Sequence, residues 1–323
     1  MAILPFDDRD GVIWFDGALV PWRDARMHVL SHGLHYASCV FEGERVYGGT
    51  IFQLRQHTER LINSGKVLGF SIPYSADAID AACNAVVAAQ GLKDAYVRPV
   101  AWRGSEMMAV SAQQTRIHLA VAAWEWPSYF NPEARLKGIR LKLSKWRRPA
   151  PDTAPTTAKA AGLYMICTLS KHEAEAAGYH DALMLDYRGL IAEATGANIF
   201  LVQDGKIHTP VPDCFLDGIT RQTVIGLARA RGFEVIERQI RLDELGRTQE
   251  VFLTGTAAEV TPVGEIDDHR FTPGAVTKAL IEDYDTLVRG KTAAASASGV
   301  AERSPSRSAI SSSGKSSARS SVA

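Results

Sequence analysis

Long apolar runs are missing from this chain. Nowhere do about 18 uninterrupted apolar residues occur, and Asp7 and Asp8 interrupt the N-terminal segment early, so neither a membrane span nor a signal peptide is expected. Charge of one sign is also missing. Thirty-six Lys and Arg balance 36 Asp and Glu, so no global field favours nucleic acid, an anionic membrane or a polyanionic substrate. Cysteine is scarce and scattered at Cys39, Cys83, Cys167 and Cys214, with no C-x-x-C pair and no His-Cys cluster at zinc spacing. That argues against a disulfide framework and against a metal site, and for a reduced, cytoplasmic setting. Four common catalytic signatures are absent as well: no G-x-x-x-x-G-K-[ST], no G-x-G-x-x-G after a strand, no H-E-x-x-H and no G-x-S-x-G.

What is present is enough apolar material for two cores, 46% hydrophobic residues over 323 positions, and chains of this length usually divide. Asp16-Gly17 between Val12-Ile13-Trp14-Phe15 and Ala18-Leu19-Val20 predicts an early hairpin, and Asp204-Gly205 predicts another. Helices are expected over 57–68, before Gly69, and over 75–90, before Gly91. Strands are expected over 96–102 and 117–124, rich in β-branched and aromatic residues. Proline in Asn131-Pro132-Glu133-Ala134 marks a linker at 131–137, separating a domain at 1–130 from one at 138–290. Beyond it Ile139, Leu141 and Leu143 alternate with polar residues as in a half-buried strand. A helix should follow Lys159, with Met165, Ile166, Leu169 and Ala176 at helical spacing, and another should span 221–231. From Lys291 the composition falls to Ala, Ser and Gly with scattered charge, so 291–323 is expected to be a disordered tail.

Chemistry concentrates around Lys159, in Pro155-Thr156-Thr157-Ala158-Lys159-Ala160-Ala161-Gly162-Leu163-Tyr164. Small neighbours leave the amine open to a flat aldehyde cofactor, and desolvation would lower its pKa toward nucleophilic competence. Pyridoxal phosphate then needs a donor for its phenolic oxygen, an acid for its ring nitrogen and a phosphate cup. Tyr164 can supply the donor. Glu193, placed where a hydrophobic run breaks into a small-residue loop, can supply the acid, since a buried carboxylate there needs a cationic partner. Asp217-Gly218-Ile219-Thr220 precedes a helix and offers free N–H groups to an anion. Thr254-Gly255-Thr256-Ala257-Ala258 is a second donor-rich loop, and Arg60 can complete the cup. Arg98, mid-strand in Tyr96-Val97-Arg98-Pro99, must face a cavity or an acid and could bind a substrate carboxylate. Each feature has an ordinary counterpart: a surface lysine, a core tyrosine, a loop glutamate, a helix cap or a cross-strand ion pair. It is their combination that points to a Schiff-base enzyme.

Taken in order, several segments resemble the branched-chain amino acid aminotransferases of the fold type IV group of pyridoxal phosphate enzymes. They include 28–36, Val40-Phe41-Glu42-Gly43, Tyr96-Val97-Arg98-Pro99, the Lys159 segment, 193–200, Gly218-Ile219-Thr220-Arg221 and 255–263, and the resemblance runs from about Ile13 to Val288. Departures are the 105–110 loop, less glycine-rich than is usual, Glu44 where a small apolar residue is commoner, and the serine-rich tail. The resemblance implies an α+β, two-domain fold type IV architecture, with a smaller N-terminal α/β domain and a larger C-terminal domain built on a barrel-like β core with helices.

It also implies that Lys159 bonds the cofactor and shuttles the α-proton. Glu193 would hold the ring nitrogen and Tyr164 the phenolic oxygen, while Arg60, Ile219, Thr220 and Thr256 would bind phosphate. Thr256 and Ala257 would take the substrate α-carboxylate; Phe41, Trp126 and Tyr129 would surround an aliphatic side chain; and Arg98, in the Tyr96 segment, would receive the distal carboxylate of glutamate together with Tyr36 and Tyr129. Tyr36 and the loop near Val110 would serve a neighbouring subunit's site, which implies a homodimer or higher homo-oligomer. The expected reaction moves an amino group from leucine, isoleucine or valine to 2-oxoglutarate by ping-pong exchange. The rivals are a D-amino acid or amine aminotransferase, an aminodeoxychorismate-type lyase, or a silent binding module.

Overall fold

A computed structural model describes residues 5–126 and 137–290. The tail at 291–323, Tyr129 and the expected linker other than residue 137 lie outside the described residues.

Two sheets organise the chain. The first holds β1 (Val12–Phe15), β2 (Ala18–Pro21), β3 (Cys39–Phe41), β4 (Glu44–Tyr47), β5 (Thr50–Ile51), β6 (Ala95–Arg103) and β7 (Ile117–Glu125). Its order is β2-β1-β7-β6-β4-β5, with β3 also on β6. The expected hairpin forms as Phe15 pairs with Ala18, and Asp16 and Gly17 take φ of 46° and 108°. Such positive φ values at both turn positions match the right-handed twist of the paired strands. Two helices cover this sheet, α2 (Leu54–Val67) and α3 (Ala76–Ala89), after a short α1 (His32–Tyr36). Ser75 caps α3 by accepting from the Ala78 N–H at 3.2 Å. Leu61, Ile79 and Val86 pack against Val97, Leu119 and Val121 in a closed core.

The second sheet contains β8 (Ile139–Arg148), β9 (Asp181–Asp186), β10 (Ile191–Ala194), β11 (Asn198–Gln203), β12 (Lys206–Thr209), β13 (Val235–Glu237), β14 (Glu250–Gly255), β15 (Glu259–Ile266) and β16 (His269–Arg270). Strands β10-β9-β8-β15-β14-β11 follow one another, and β10 pairs back onto β11, closing a six-stranded barrel. Closure leaves these strands no free edge. Where β8 enters the barrel beside β15, Gly138 has φ of 74°, and a Cβ there would lie 2.4 Å from the Gly264 nitrogen. Only glycine fits that approach. Leu141, Leu183, Ile199, Leu201, Val251 and Val263 share the largest barrel cluster.

Three helices follow: α4 (Met165–Ala176), α5 (Ile219–Ala230) and α6 (Ala275–Val288). The face of α4 differs from expectation. Met165 is 64% exposed and Leu169 is exposed too, while Cys167, Ser170 and Ala174 are buried. Small residues let this helix lie close on β8, where the Ser170 and Ser144 hydroxyls meet at 2.7 Å. The hydrophobic spacing therefore pointed to the wrong side. Helix α5 also starts at Ile219, two residues before the expected position, because buried Arg221 reaches out of the first turn to Asp217 and Glu237, each at 2.8 Å.

Helices α5 and α6 pack on the barrel through a cluster containing Phe200, Phe252, Val224, Leu280 and Tyr284. Phe200 and Phe252 are fully buried and stacked, with ring centroids 4.9 Å apart. Phe252→Ala should cost about 3–5 kcal/mol of stability by emptying this contact. Denaturant titration of the purified variant checks it, and a change under about 1 kcal/mol would contradict the packing argument.

Candidate active site

The peptide of Lys159 is held by the first sheet and the helix packed on it. The Phe41 N–H donates to the Lys159 carbonyl at 3.1 Å, the Lys159 N–H donates to the Ser64 hydroxyl at 3.0 Å, and Val40 bridges Ala160. The side chain is thereby aimed into a cavity. Lys159, Tyr164, Glu193 and Arg60 line it, as do Ile219, Thr220 and Thr256. All seven residues expected to meet the cofactor share this one space.

Lys159 Nζ donates to Tyr164 Oη at 2.8 Å. Burial alone would depress the amine, as the sequence suggested, but attraction by Tyr164 and Glu42 outweighs it and the pKa is raised above the ordinary lysine value. The expectation of a lowered pKa is therefore corrected for this state of the site. The ring of Phe41 lies 4.8 Å from Tyr164 and 5.0 Å from Lys159 Nζ, walling the amine on one side.

Glu193 lies on β10 and not in a loop; the small residues that follow it form the turn to β11. Its cross-strand partner Asn198 donates to Oε2 at 3.3 Å and to the Leu216 carbonyl at 3.0 Å. Arg148 Nε approaches Oε1 at 3.2 Å, but its angle is too poor for a hydrogen bond, so that donor stays unsatisfied. Burial pushes the Glu193 carboxyl up to about 7, only partly opposed by Arg148 and Lys159. An acid in this condition gains from a cationic ring partner.

At another part of the cavity, Arg60 donates from Nε and Nη2 to Glu42 at 2.6 and 2.8 Å, and His57 Nδ1 lies 2.7 Å from the same carboxylate. Glu42 is wholly buried. Burial would raise its pKa, but Arg60 and His57 hold it well below the usual carboxylate range. Glu42 thus orients Arg60 while leaving Nη1 buried and unpaired. The Thr254 hydroxyl is likewise unpaired. No side chain caps the first turn of α5, whose Ile219 and Thr220 face the cavity. A buried, unsatisfied arginine donor beside an uncapped helix N-terminus is the donor set a phosphate needs, so the residues fit pyridoxal phosphate.

Arg98 stands beyond Phe41, its guanidinium 4.6 Å above that ring, and donates to Tyr96 Oη at 3.2 Å. Its Nε is buried and unpaired. Trp126 packs against Tyr96 at 5.4 Å and lines, with Ala257, an adjoining cavity that shares Ala197 with the first. Tyr36 stands apart, 45% exposed and stacked on His32 at 4.4 Å. Sequence reasoning did not single out Glu42, His57, Ser64, Arg148 or Asn198. His57 and Arg60 do sit three apart on one helix face, and Glu42 follows Phe41, but nothing local shows that they converge.

Comparison with known proteins follows the same lines. The amino-transferase class IV family matches residues 39–266, and the chain belongs to that family. A branched-chain-amino-acid aminotransferase of Pseudomonas aeruginosa is 45% identical over 294 residues, covering 89% of this chain and 96% of the relative. The enzyme of the same name from Escherichia coli K12 is 39% identical, covering 87% and 94%. A crystal structure of the T.th. branched-chain amino acid aminotransferase with pyridoxamine 5'-phosphate superposes with a TM-score of 0.86 at 42% identity, over 88% of this chain and 96% of that one. Among the described residues no helix is long and apolar enough to cross a membrane.

The buried Glu193 carboxyl couples stability to pH. Because the folded, cofactor-free protein keeps this proton above the ordinary value of 4.5, its stability should fall as pH rises toward about 7 and then stay level. Relative to Glu193→Gln, cofactor-free wild type should lose thermal stability between about pH 5 and about pH 7.5, and the difference should shrink once cofactor is bound. A pH-independent difference would overturn the assignment.

Proposed function

We propose that the protein is a pyridoxal 5'-phosphate-dependent aminotransferase acting on leucine, isoleucine and valine, with 2-oxoglutarate as acceptor, in a ping-pong cycle. The observation that carries this reading is the convergence of Lys159, Tyr164, Glu193, Arg60 and the α5 N-terminus on one cavity. When bound, the cofactor supplies an electron sink for the α-carbanion and a temporary carrier for the amino group. The chain supplies the rest.

Lys159 Nζ would hold the cofactor aldehyde and move the proton from the substrate Cα, while Tyr164 Oη, 2.8 Å from Nζ, would hold the phenolic oxygen. Glu193, ionised against a cationic ring nitrogen, keeps that nitrogen protonated. Arg60 Nη1 and the N–H groups of Ile219 and Thr220 hold the phosphate, with Thr256 at its edge. Thr256 and Ala257 take the substrate α-carboxylate.

Phe41, Trp126 and Tyr129 surround the aliphatic side chain, whereas Arg98, supported by Tyr96, meets the distal carboxylate of glutamate. Tyr36, exposed within its own chain, serves a neighbouring subunit, so the working form is at least a homodimer. We also take 1–130 and 138–290 as two domains. We also place the protein in a reducing cytoplasm, the setting its four scattered cysteines suggest. Phe41 is close to both groups, its ring centroid 4.6 Å from the Arg98 guanidinium and 5.0 Å from Lys159 Nζ, so one wall would serve carboxylate and hydrocarbon in turn. Arg98 beside Phe41 favours this reading over the D-amino acid and amine aminotransferases and the aminodeoxychorismate-type lyases.

Borohydride reduction of the purified holoenzyme should fix the cofactor on Lys159, read by peptide mass spectrometry, and Lys159→Ala should lower turnover by about 10²–10⁴-fold or more. Initial rates at varied leucine and 2-oxoglutarate should give parallel double-reciprocal lines. Arg98→Ala should raise KM for glutamate and 2-oxoglutarate about 10–100-fold, the loss of one charge-assisted contact, while leucine changes little. Equal losses on leucine and glutamate would refute the role given to Arg98.

A further inference from the structure

The turn at 256–258 is joined to β15 through Glu259, which has φ of +53°. Glutamate rarely adopts this left-handed backbone, and where it does the surroundings must hold it there. Here they do. Glu259 is buried, and its Oε1 accepts from the Tyr47 hydroxyl at 2.9 Å across the boundary between barrel and first sheet. Arg45, also buried, lies 3.8 Å from the same oxygen, and its Nη2 donates to the Trp126 carbonyl at 3.4 Å. Tyr47 in turn meets Tyr284, whose hydroxyl faces Thr220 at the start of α5. None of Arg45, Tyr47, Glu259 or Tyr284 lines the cavity that holds Lys159, and Arg45 and Glu259 line only the adjoining one, with Trp126 and Ala257. Yet the array touches Thr220, the base of the 256–258 turn and the backbone of Trp126.

We propose that Glu259 is a positioning residue for the substrate α-carboxylate: its carboxylate, pinned by Tyr47 and Arg45, fixes the left-handed backbone that presents the 256–258 turn to the cavity. This deepens the aminotransferase reading and rests on its assignment of that turn to the α-carboxylate. Every amino acid and 2-oxo acid carries that group, so Glu259 governs the two halves of the exchange equally, unlike Arg98. Glycine at this position keeps the positive φ without strain but loses the anchor, which separates the role of the side chain from that of the backbone.

The test compares Glu259→Gly, Glu259→Gln, Tyr47→Phe and the Glu259→Gly/Tyr47→Phe double variant, each as holoenzyme with its cofactor content measured. Calorimetric titration with 4-methylpentanoate, a carboxylate that cannot transaminate, reads binding, and kcat/KM for leucine and for glutamate reads function. Glu259→Gly should weaken 4-methylpentanoate about tenfold and lower both kcat/KM values by that same factor, mainly through KM, at full cofactor content. Tyr47→Phe should act in the same direction, Glu259→Gln should recover much of the loss, and the double variant should be little worse than Glu259→Gly alone. Unchanged 4-methylpentanoate affinity, a loss confined to one donor, or effects that multiply in the double variant would overturn the proposal. If wild type binds 4-methylpentanoate but transaminates neither donor, the aminotransferase reading fails, while the binding comparison still decides the role of Glu259.

Discussion

The short backbone attachment between Phe41 and Lys159 is the constraint on which the site depends. The lysine belongs by sequence to the second half of the chain, but its peptide is hydrogen-bonded to β3 and to Ser64 of α2 in the first. Cavity-lining groups contributed by the barrel and its helices, Glu193 and the α5 N-terminus, therefore meet a lysine whose position is set by the other sheet. The cavity exists because two separately packed cores are registered through this seam. Any rearrangement between the sheets would be felt first at the amine.

Electrostatics inside the cavity are arranged in pairs that leave one donor or acceptor over. Glu42 neutralises Arg60 and spares Nη1; Arg148 lies beside Glu193 without fully satisfying it. Such half-used groups are costly in an apolar interior and are maintained only because the surrounding fold holds them in place. On the proposed assignments, their cost would be offset when an anion meets Arg60 and a cationic ring meets Glu193. Binding and stability are thereby linked: the protein should be firmest when loaded.

Much of this was legible in the chain. The Asp16-Gly17 and Asp204-Gly205 turns carry their own backbone requirement, and both hairpins formed with the expected strands. Lys159, Tyr164 and Glu193 each have an ordinary reading alone and stand out only in combination, and the structure brings them to one cavity. Less legible was whatever depends on distance between segments. The pairing of Glu42 with His57 and Arg60 joins a strand end to a helix 15 to 18 positions away. Barrel closure by β10 on β11 has no local signature. The buried face of α4 was misread because close approach to a strand selects serine, cysteine and alanine over the larger residues that hydrophobic spacing rewards. Lys159 acidity was misread because neighbouring oxygens outweighed burial.

Gly43 touches no substrate-facing group in the proposed chemistry, yet a Cβ there would fall 1.8 Å from the Tyr96 hydroxyl. Tyr96 is the group on which the Arg98 guanidinium rests. Substitution at this quiet position would evict the phenol and swing the guanidinium with it. Under the role proposed for Arg98, selectivity would then drift through a backbone gap hidden behind the pocket wall, out of sight of any comparison confined to the pocket's own side chains.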